Sequence, residues 1–272
     1  NFAAEADIPR VTRDPKFADV PAVSITGWAG FGTGTTRPFF KTQNNFEFVD
    51  NLMLQRGAHA IKMGLNLLRR QEQQLVPLTK KGSFSFDGNF AGDTLADFLL
   101  GYPRQTQLGE SPYITAANLR TLDVFGYAQD DWRIHRRLTL NLGLRYEAVG
   151  PPSDMHGTTI NINPVTGAFE PPPLTPGQKL HNNDRNNFAP RIGFAWLPLG
   201  WNRTVVRGGY GFFYNANNYD EYLFMPYNPP FGNVLTYQST PGRPTLSMDN
   251  PFPTGVGTMG APVSYGIDRN FR

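Results

Sequence analysis

Hydrophobic and polar side chains alternate one for one in several stretches of the chain. From Leu138 to Val149, leucines and a tyrosine occupy the even positions up to Tyr146, and polar or small residues occupy the odd ones. Because successive side chains of a β-strand point to opposite faces, this period predicts a strand with one apolar and one polar face. The length of the run matches the ~9–11 residues that a tilted membrane-spanning strand needs.

The same alternation predicts six strands in all. They cover about residues 45–56, 59–70, 119–132, 138–149, 188–197 and 203–214. In 119–132 the pattern leaves the faces unassigned, because Phe125 and Tyr127 share parity with Asp123 and Asp131. In 45–56, Asp50 falls on the face that is otherwise apolar.

The connections between the predicted strands differ sharply in length. Short links join the strands in pairs at 57–58, 133–137 and 198–202, whereas long polar segments rich in Pro and Gly cover about 71–118, 150–187 and 215 onward. If the strands run up and down, every short link falls at one end of the sheet and every long segment at the other. Outer-membrane barrels have this layout, and a β-sandwich gives no reason for it.

Composition supports an all-β chain. The 28 Gly and 24 Pro among 272 residues break helices too often for a helical bundle, and an aromatic content of 13% is too high for a typical disordered chain. No window reaches the ~18 apolar residues of a transmembrane helix. The predicted fold class is an antiparallel up-and-down transmembrane β-barrel segment with long Pro/Gly-rich loops. One short helix is predicted over 94–100, with Thr94 as its cap and Leu99 in its buried stripe.

Several kinds of chemistry lack support in the sequence. The absence of cysteine excludes disulfide scaffolds, zinc fingers, iron–sulfur clusters and cysteine nucleophiles. A net charge of +3 without a dense basic tract gives no indication of nucleic-acid binding. The four histidines lack metal-ligand spacing, and Asp130 and Asp131, as neighbours on a strand, should point to opposite faces. We therefore predict no catalytic residue, no metal site, no cofactor and no enzymatic activity.

The polar faces of the predicted strands carry the candidate binding residues. These are Lys62, Asn66, Arg145, Glu147, Arg191 and Arg207. In a barrel they would face the lumen, where charge is tolerated. Two roles are open: they contact a plug or guide an anionic ligand, or they form a mutually hydrogen-bonded lining that keeps the wall rigid.

Five segments together resemble a known family. They are FGYAQDDW (125–132) followed by LTLNLGLRYE (138–147), NFAPRIGFAW (187–196), VRGGYGFFY (206–214), and upstream of these ADFLLGYP (96–103). They look like barrel hairpins of TonB-dependent receptors and are most similar to the Oar-like group with large barrels. The resemblance runs from about Asn45 to Tyr214.

The resemblance implies energised import of a bulky ligand through the outer membrane of a Gram-negative type of cell. It implies as partners the outer-membrane lipid, the rest of the barrel and a plug in a longer chain, and the TonB energy-coupling system. Nothing in residues 1–272 resembles a plug, so the chain is expected to be a single internal barrel segment or a truncated relative of such receptors. Two alternatives stay open: an outer-membrane adhesion or structural protein without transport, and a soluble β-sandwich that binds carbohydrate.

Overall fold

The computed structural model describes residues 8–12, 14, 16–17, 19–109, 116–170, 174–198, 203–215, 220–260 and 264–270. The strands of this part of the chain are β1 (Ala22–Ile25), β2 (Phe40–Arg56), β3 (His59–Leu75), β4 (Ser83–Phe86), β5 (Gln105–Gly109), β6 (Ala116–His135), β7 (Leu138–Ala148), β8 (Ser153–Asp154), β9 (Phe188–Trp196), β10 (Val206–Gly211), β11 (Val234–Gln238) and β12 (Thr258–Gly260). The helices are α1 (Thr94–Leu100) and α2 (Asp220–Phe224), and a 3₁₀ turn follows at Met225–Tyr227.

Six strands form one large antiparallel sheet in the order β10-β9-β7-β6-β3-β2, with the short β8 paired to β6. The six predicted strands are thus present, although β2 and β3 extend to 17 residues each and β6 to 20. β10 has only 6 residues, and just past its end the amide of Phe212 donates to the carbonyl of Pro190. The prediction that the whole chain is a single barrel segment stays a prediction.

The register confirms the predicted arrangement of the strand ends. Arg56 lies opposite His59, His59 opposite Trp132, and Leu138 opposite Trp196, so these strand ends share one end of the sheet. Segment 150–187 starts and finishes at the other end, where the register pairs Tyr146 with Phe188. Most of the predicted link 198–202 lies outside the described residues.

Over the half of the sheet nearest the short links, one face is apolar and exposed. The members of this face, which we call the outer face, include Phe48, Leu52, Leu54, Met63, Leu65, Leu142, Leu144, Phe188, Ile192, Phe194, Trp196 and Tyr210. Asp50 lies opposite Leu65 on this face, as the parity predicts. The register also assigns β6: Val124 and Trp132 are on the outer face, and Phe125 and Tyr127 are on the opposite, inner face.

Past Arg69 and Leu122, toward the end of the sheet away from the short links, the outer face is no longer apolar and the inner face is no longer open. The outer face becomes polar, with Thr42, Asn44, Gln71, Gln73, Asn118 and Arg120. The inner face becomes buried: Leu119 and Ala117 are each 1% exposed, and Glu72 and Gln74 are nearly as inaccessible. The parts of β3 and β6 farthest from the short links, which we call their upper parts, therefore need a partner on their inner side.

That partner is a folded layer formed by the long segments. A second sheet in the order β1-β4-β5-β11-β12, with β1 and β4 parallel, packs with α1, α2 and the surrounding loops. We call the described parts of 8–39, 76–109, 149–187 and 212–270 the cap. Its largest apolar cluster surrounds Phe84, Phe86 and Phe252, and a second cluster joins Leu119 to Leu180 and Tyr222. The hydrophobic core of the protein lies here.

The predicted helix at 94–100 is present, but two details of that prediction are wrong. Asp93, not Thr94, caps it, because the Asp93 carboxylate accepts from the amides of Leu95 and Ala96. Leu99 is 74% exposed, and the buried side chain is Asp97. The Asp97 carboxylate accepts from the amides of Phe90 and Ala91, so this face of α1 secures a backbone turn instead of an apolar core.

The burial of Leu119 between β6 and the cap is testable by Leu119→Ala. Removing a fully buried leucine should lower the free energy of unfolding by about 2–5 kcal/mol. Leu122→Ala is the matched control, since Leu122 lies on the same strand, on the outer face, and is 56% exposed. Chemical denaturation should show the loss for position 119 only. Equal losses at the two positions would contradict the inward packing of the cap.

Candidate functional site

The structure places all six candidate residues on the inner face of the large sheet. Gly143 lies opposite both Gln129 and Arg191, and Gln129 lies opposite Lys62, so Lys62 and Arg191 share one row across four strands. Asn66 and Glu147 share another row, because each lies opposite Phe125. Arg207 lies opposite Ala195 near the short-link end, away from the other candidates. Their binding role stays a prediction.

Three of the candidates meet in one depression. Lys62, Arg145 and Arg191 line a cavity of about 250 Å³ together with Tyr127 and Gln129. Gly143 leaves room there, because it has no side chain between those of Gln129 and Arg191. The depression thus has three cationic side chains and two hydrogen-bonding ones, a set suited to an anionic group.

Cross-strand contacts occupy much of this polar face. Lys62 lies 3.3 Å from Asp131 on the next strand, whose other oxygen accepts from the Asn141 amide at 2.6 Å. Within β7, Arg145 donates to Glu147. Asn66 donates to Glu47 at 2.7 Å. These contacts favour the structural-lining hypothesis for Lys62, Asn66, Arg145 and Glu147.

Two cations differ from the rest. Arg191 stacks on the ring of Phe213, with 4.5 Å from its guanidinium carbon to the ring centroid. Within the described residues, neither Arg191 nor Arg207 forms an ion pair with a carboxylate. An anionic ligand could therefore approach both without displacing a carboxylate.

One glycine on this face allows a close contact. A Cβ at Gly64 would lie 2.5 Å from the Tyr127 ring and 2.4 Å from the Asn51 side-chain oxygen. Without it, the Tyr127 ring lies across β3 and its hydroxyl donates to Asn51 at 2.9 Å. Gly64 therefore permits a tie across three strands that any larger residue would displace.

Asp130 and Asp131 point to opposite faces, as predicted. Asp130 is on the outer face, with its Oδ2 2.6 Å from Nδ1 of His59, and the His59 ring stacks on Trp132. Asp131 is on the inner face beside Lys62. Two carboxylates on opposite faces cannot share a proton as a catalytic pair does.

The cap contains a second cavity, of about 650 Å³, that the sequence did not predict. Phe224, Tyr227 and Tyr265 form an aromatic cluster in its wall, with Phe224 and Tyr265 stacked at 5.3 Å. Burial raises the pKa of the Tyr227 phenol, which keeps the hydroxyl protonated. Its lining comes from segments far apart in the chain, including Thr35 and Val76, so no local motif could have indicated it.

The described residues contain no group of three or more His, Asp or Glu side chains placed to hold a metal ion. Among the same residues, no helix is long and apolar enough to cross a membrane.

Comparison with known proteins gives one match. The family model for the outer membrane beta barrel domain matches residues 1–272, the whole chain. Neither a curated protein nor a solved structure matches significantly.

The cap also contains a titratable residue beside the cluster that joins the cap to β6. The His181 ring stacks on Tyr222 at 5.8 Å, and its Nδ1 lies 2.8 Å from the carbonyl of Asn182. Burial lowers the pKa of His181, because the folded state disfavours the charged imidazole. Tyr222 in turn packs in the cluster that holds Leu119, so this histidine reports on the attachment of the cap.

We expect the free energy of unfolding to decrease as pH falls below the ordinary histidine pKa of ~6.5. The unfolded chain protonates His181 at a higher pH than the folded chain does, so the stabilisation present at neutral pH is lost on acidification toward the folded pKa. When denaturation curves are measured between about pH 7.5 and 5.5, the free energy of unfolding should change less with pH for His181→Phe than for the wild type. His135→Gln, at an exposed turn, is the control, and equal slopes for the wild type and His181→Phe would contradict this account.

Proposed function

The chain belongs to the outer membrane beta barrel family, and on that premise we propose that its large sheet is part of the wall of a transmembrane β-barrel, in a TonB-dependent receptor of the Oar-like type. The protein is located in the outer membrane. In the proposed receptor, the barrel imports a bulky ligand with energy from the TonB system.

The exposed apolar outer face is the observation that carries this proposal. Side chains such as Leu52, Leu144 and Ile192 are about half exposed, and they are contiguous across β2, β3, β6, β7, β9 and β10. A patch of this extent on a water-soluble protein would drive association. In a lipid bilayer the same surface is stable, because acyl chains replace water against it.

The dimensions of the outer face agree with a membrane. β9 has 9 residues with apolar side chains at both ends, Phe188 and Trp196. At ~3.3 Å per residue this is about 30 Å along the strand, and a tilt of ~40° brings the height close to the ~25 Å apolar band of outer-membrane barrels. Trp132, Tyr146 and Trp196 lie near the limits of the band, where amphipathic rings favour the interface.

The short links and the cap set the orientation that we propose. Short turns face the periplasm in barrels of this kind, and long segments face outward. The cap packs against the inner side of β3 and β6, at Glu72, Gln74 and Leu119, and so extends over the mouth of the lumen. A ligand arriving from outside would meet the cap first and the cationic inner face next.

The sheet also indicates partners for its edges. β2 and β10 are the edge strands, and β2 is exposed along all 17 residues. A transmembrane sheet must satisfy such edges with further strands, because lipid offers no hydrogen bonds. We propose that strands of the remaining barrel pair with β2 and β10, and that a plug contacts the polar inner face.

An adhesion protein is the second candidate function. The observation that favours it is the size of the cap, which has its own sheet and core and would present a folded surface outside the cell. Adhesion needs this surface but not energy coupling. A soluble carbohydrate-binding module, the third alternative, needs a second sheet over the outer face and does not account for the match to the outer membrane beta barrel family.

Gene deletions in the source cell separate these functions. Import predicts that a strain lacking this gene and a strain lacking the energy-coupling protein grow poorly on the same nutrient in a panel of sole sources. Adhesion predicts a defect in surface attachment that does not depend on the energy-coupling protein. A soluble module predicts release from membranes by alkaline carbonate.

Charge placed on either face of β7 tests the membrane wall directly. Leu144→Arg puts a cation on the outer face opposite Ala128 and Pro190, with no carboxylate in its row to pair with, and should cost about 2–4 kcal/mol in lipid. Asn141→Arg, three residues away on the inner face beside Asp131, should be tolerated. Heat-modifiable migration in gels measures assembly, and equal assembly of the two variants would argue that the outer face does not meet lipid.

A further inference from the structure

A cavity of about 700 Å³ lies on the outer surface where the apolar face ends. The upper parts of β6 and β7 form its floor, and the loop at 179–185 forms one wall. It is on the opposite side of the sheet from the six candidate residues, so it is separate from the site described above. Within the proposed barrel, this position is at the outward boundary of the bilayer.

The floor and the rim of this cavity differ in chemistry. Leu122, Val124, Tyr146 and Ala148 provide an apolar floor that is continuous with the exposed band below. The rim carries cationic side chains, with a single carboxylate from Asp184. The cations are Arg69, Arg120, Lys179 and Arg185. Four positive charges and one negative charge leave a net charge of +3 around an opening with an apolar base.

The cations converge from three separate parts of the chain. Arg69 on β3 lies opposite Leu122, and Arg120 on β6 lies opposite Gln71. Both arginines are therefore on the outer face, in adjacent rows of side chains. Lys179 and Arg185 come from the loop, where the Lys179 ammonium donates to Asn183 at 3.0 Å. Among the residues that the structure describes, none of the four forms an ion pair.

We propose that this cavity, the outer basic site, binds the phosphate headgroup of an anionic membrane lipid whose acyl chains lie along the apolar outer face. The inference rests on the proposed embedding of the sheet in a membrane. Arginine matches phosphate oxygens with two parallel hydrogen bonds, and basic residues just beyond an apolar band attract anionic lipids. A free anion would leave the apolar floor unused, and a lipid without net charge would leave the net charge of +3 around the opening unneutralised.

The test uses the full chain purified in a neutral detergent and native mass spectrometry with added lipid. The probes are dioleoylphosphatidic acid, dioleoylphosphatidylcholine and inorganic phosphate. We expect phosphatidic acid to bind at least tenfold more tightly than either of the other two. Equal binding of phosphatidylcholine, or equally tight binding of inorganic phosphate, would overturn the proposal, the second result pointing to a simple phosphate site.

Paired variants locate the binding. Arg69→Gln with Arg120→Gln should weaken the binding of phosphatidic acid by roughly tenfold or more. Arg133→Gln with Arg136→Gln removes the same charge from exposed positions at the short-link end of the sheet and should leave lipid binding within about twofold. Unchanged binding after the Arg69 and Arg120 substitutions would overturn the assignment.

A second pair guards against misfolding of the strands. Lys179→Gln with Arg185→Gln alters only the loop, and it should weaken phosphatidic acid binding in the same direction. Alkaline carbonate extraction of membranes is measured alongside. A protein that extracts as soluble contradicts the membrane wall itself, whereas a protein that stays embedded but does not select the anionic lipid contradicts only the outer basic site.

Discussion

The alternation of side chains across a β-strand is the constraint on which the rest of this structure depends. A strand cannot place two neighbouring side chains on the same face, so a register shift of one residue would move Arg145 and Arg191 to the outer face. The observed register gathers most apolar groups on one face of six strands and most charged groups on the other, with Asp50 and Asp130 as exceptions on the outer face. One surface is thereby fitted to lipid and the other to a water-filled lumen, and both follow from the same backbone geometry.

The same constraint explains why the protein changes its character partway along β3 and β6. Past Arg69 and Leu122 the outer positions are polar and the inner ones are buried, so the strands no longer suit lipid and instead hold the cap through Leu119 and Tyr222. The apolar core of this chain therefore lies in the cap and where the cap meets β6, at Leu119. The boundary between the two regimes is where the outer basic site lies, because arginine stems can pack on apolar surface while their charged ends remain in the polar layer.

Local periodicity was enough to predict the six strands, the sharing of ends by the short links, and the common face of Lys62 and Arg207, because all of these depend on parity and link length. It could not predict the cap, whose contacts join distant segments: β1 pairs in parallel with β4, and Phe84 packs on Phe252. Nor could it assign the faces of β6, where Phe125 and Tyr127 occupy inner positions and the register with β3 and β7 decides. The helix cap was misplaced by one residue because Asp93 and Thr94 both have capping side chains, and the backbone angles choose between them.

The most direct measurement exploits the absence of cysteine in this chain, since single cysteines can be introduced and spin-labelled without background. Labels at each position from 140 to 145 in membrane-embedded protein would be tested for collision with oxygen, which concentrates in lipid, and with a water-soluble nickel complex. The account predicts a period of two, with oxygen favoured at Leu140, Leu142 and Leu144 and nickel favoured at Asn141, Gly143 and Arg145. A uniform profile, or an alternation of the opposite phase, would contradict the claim that the outer face meets lipid.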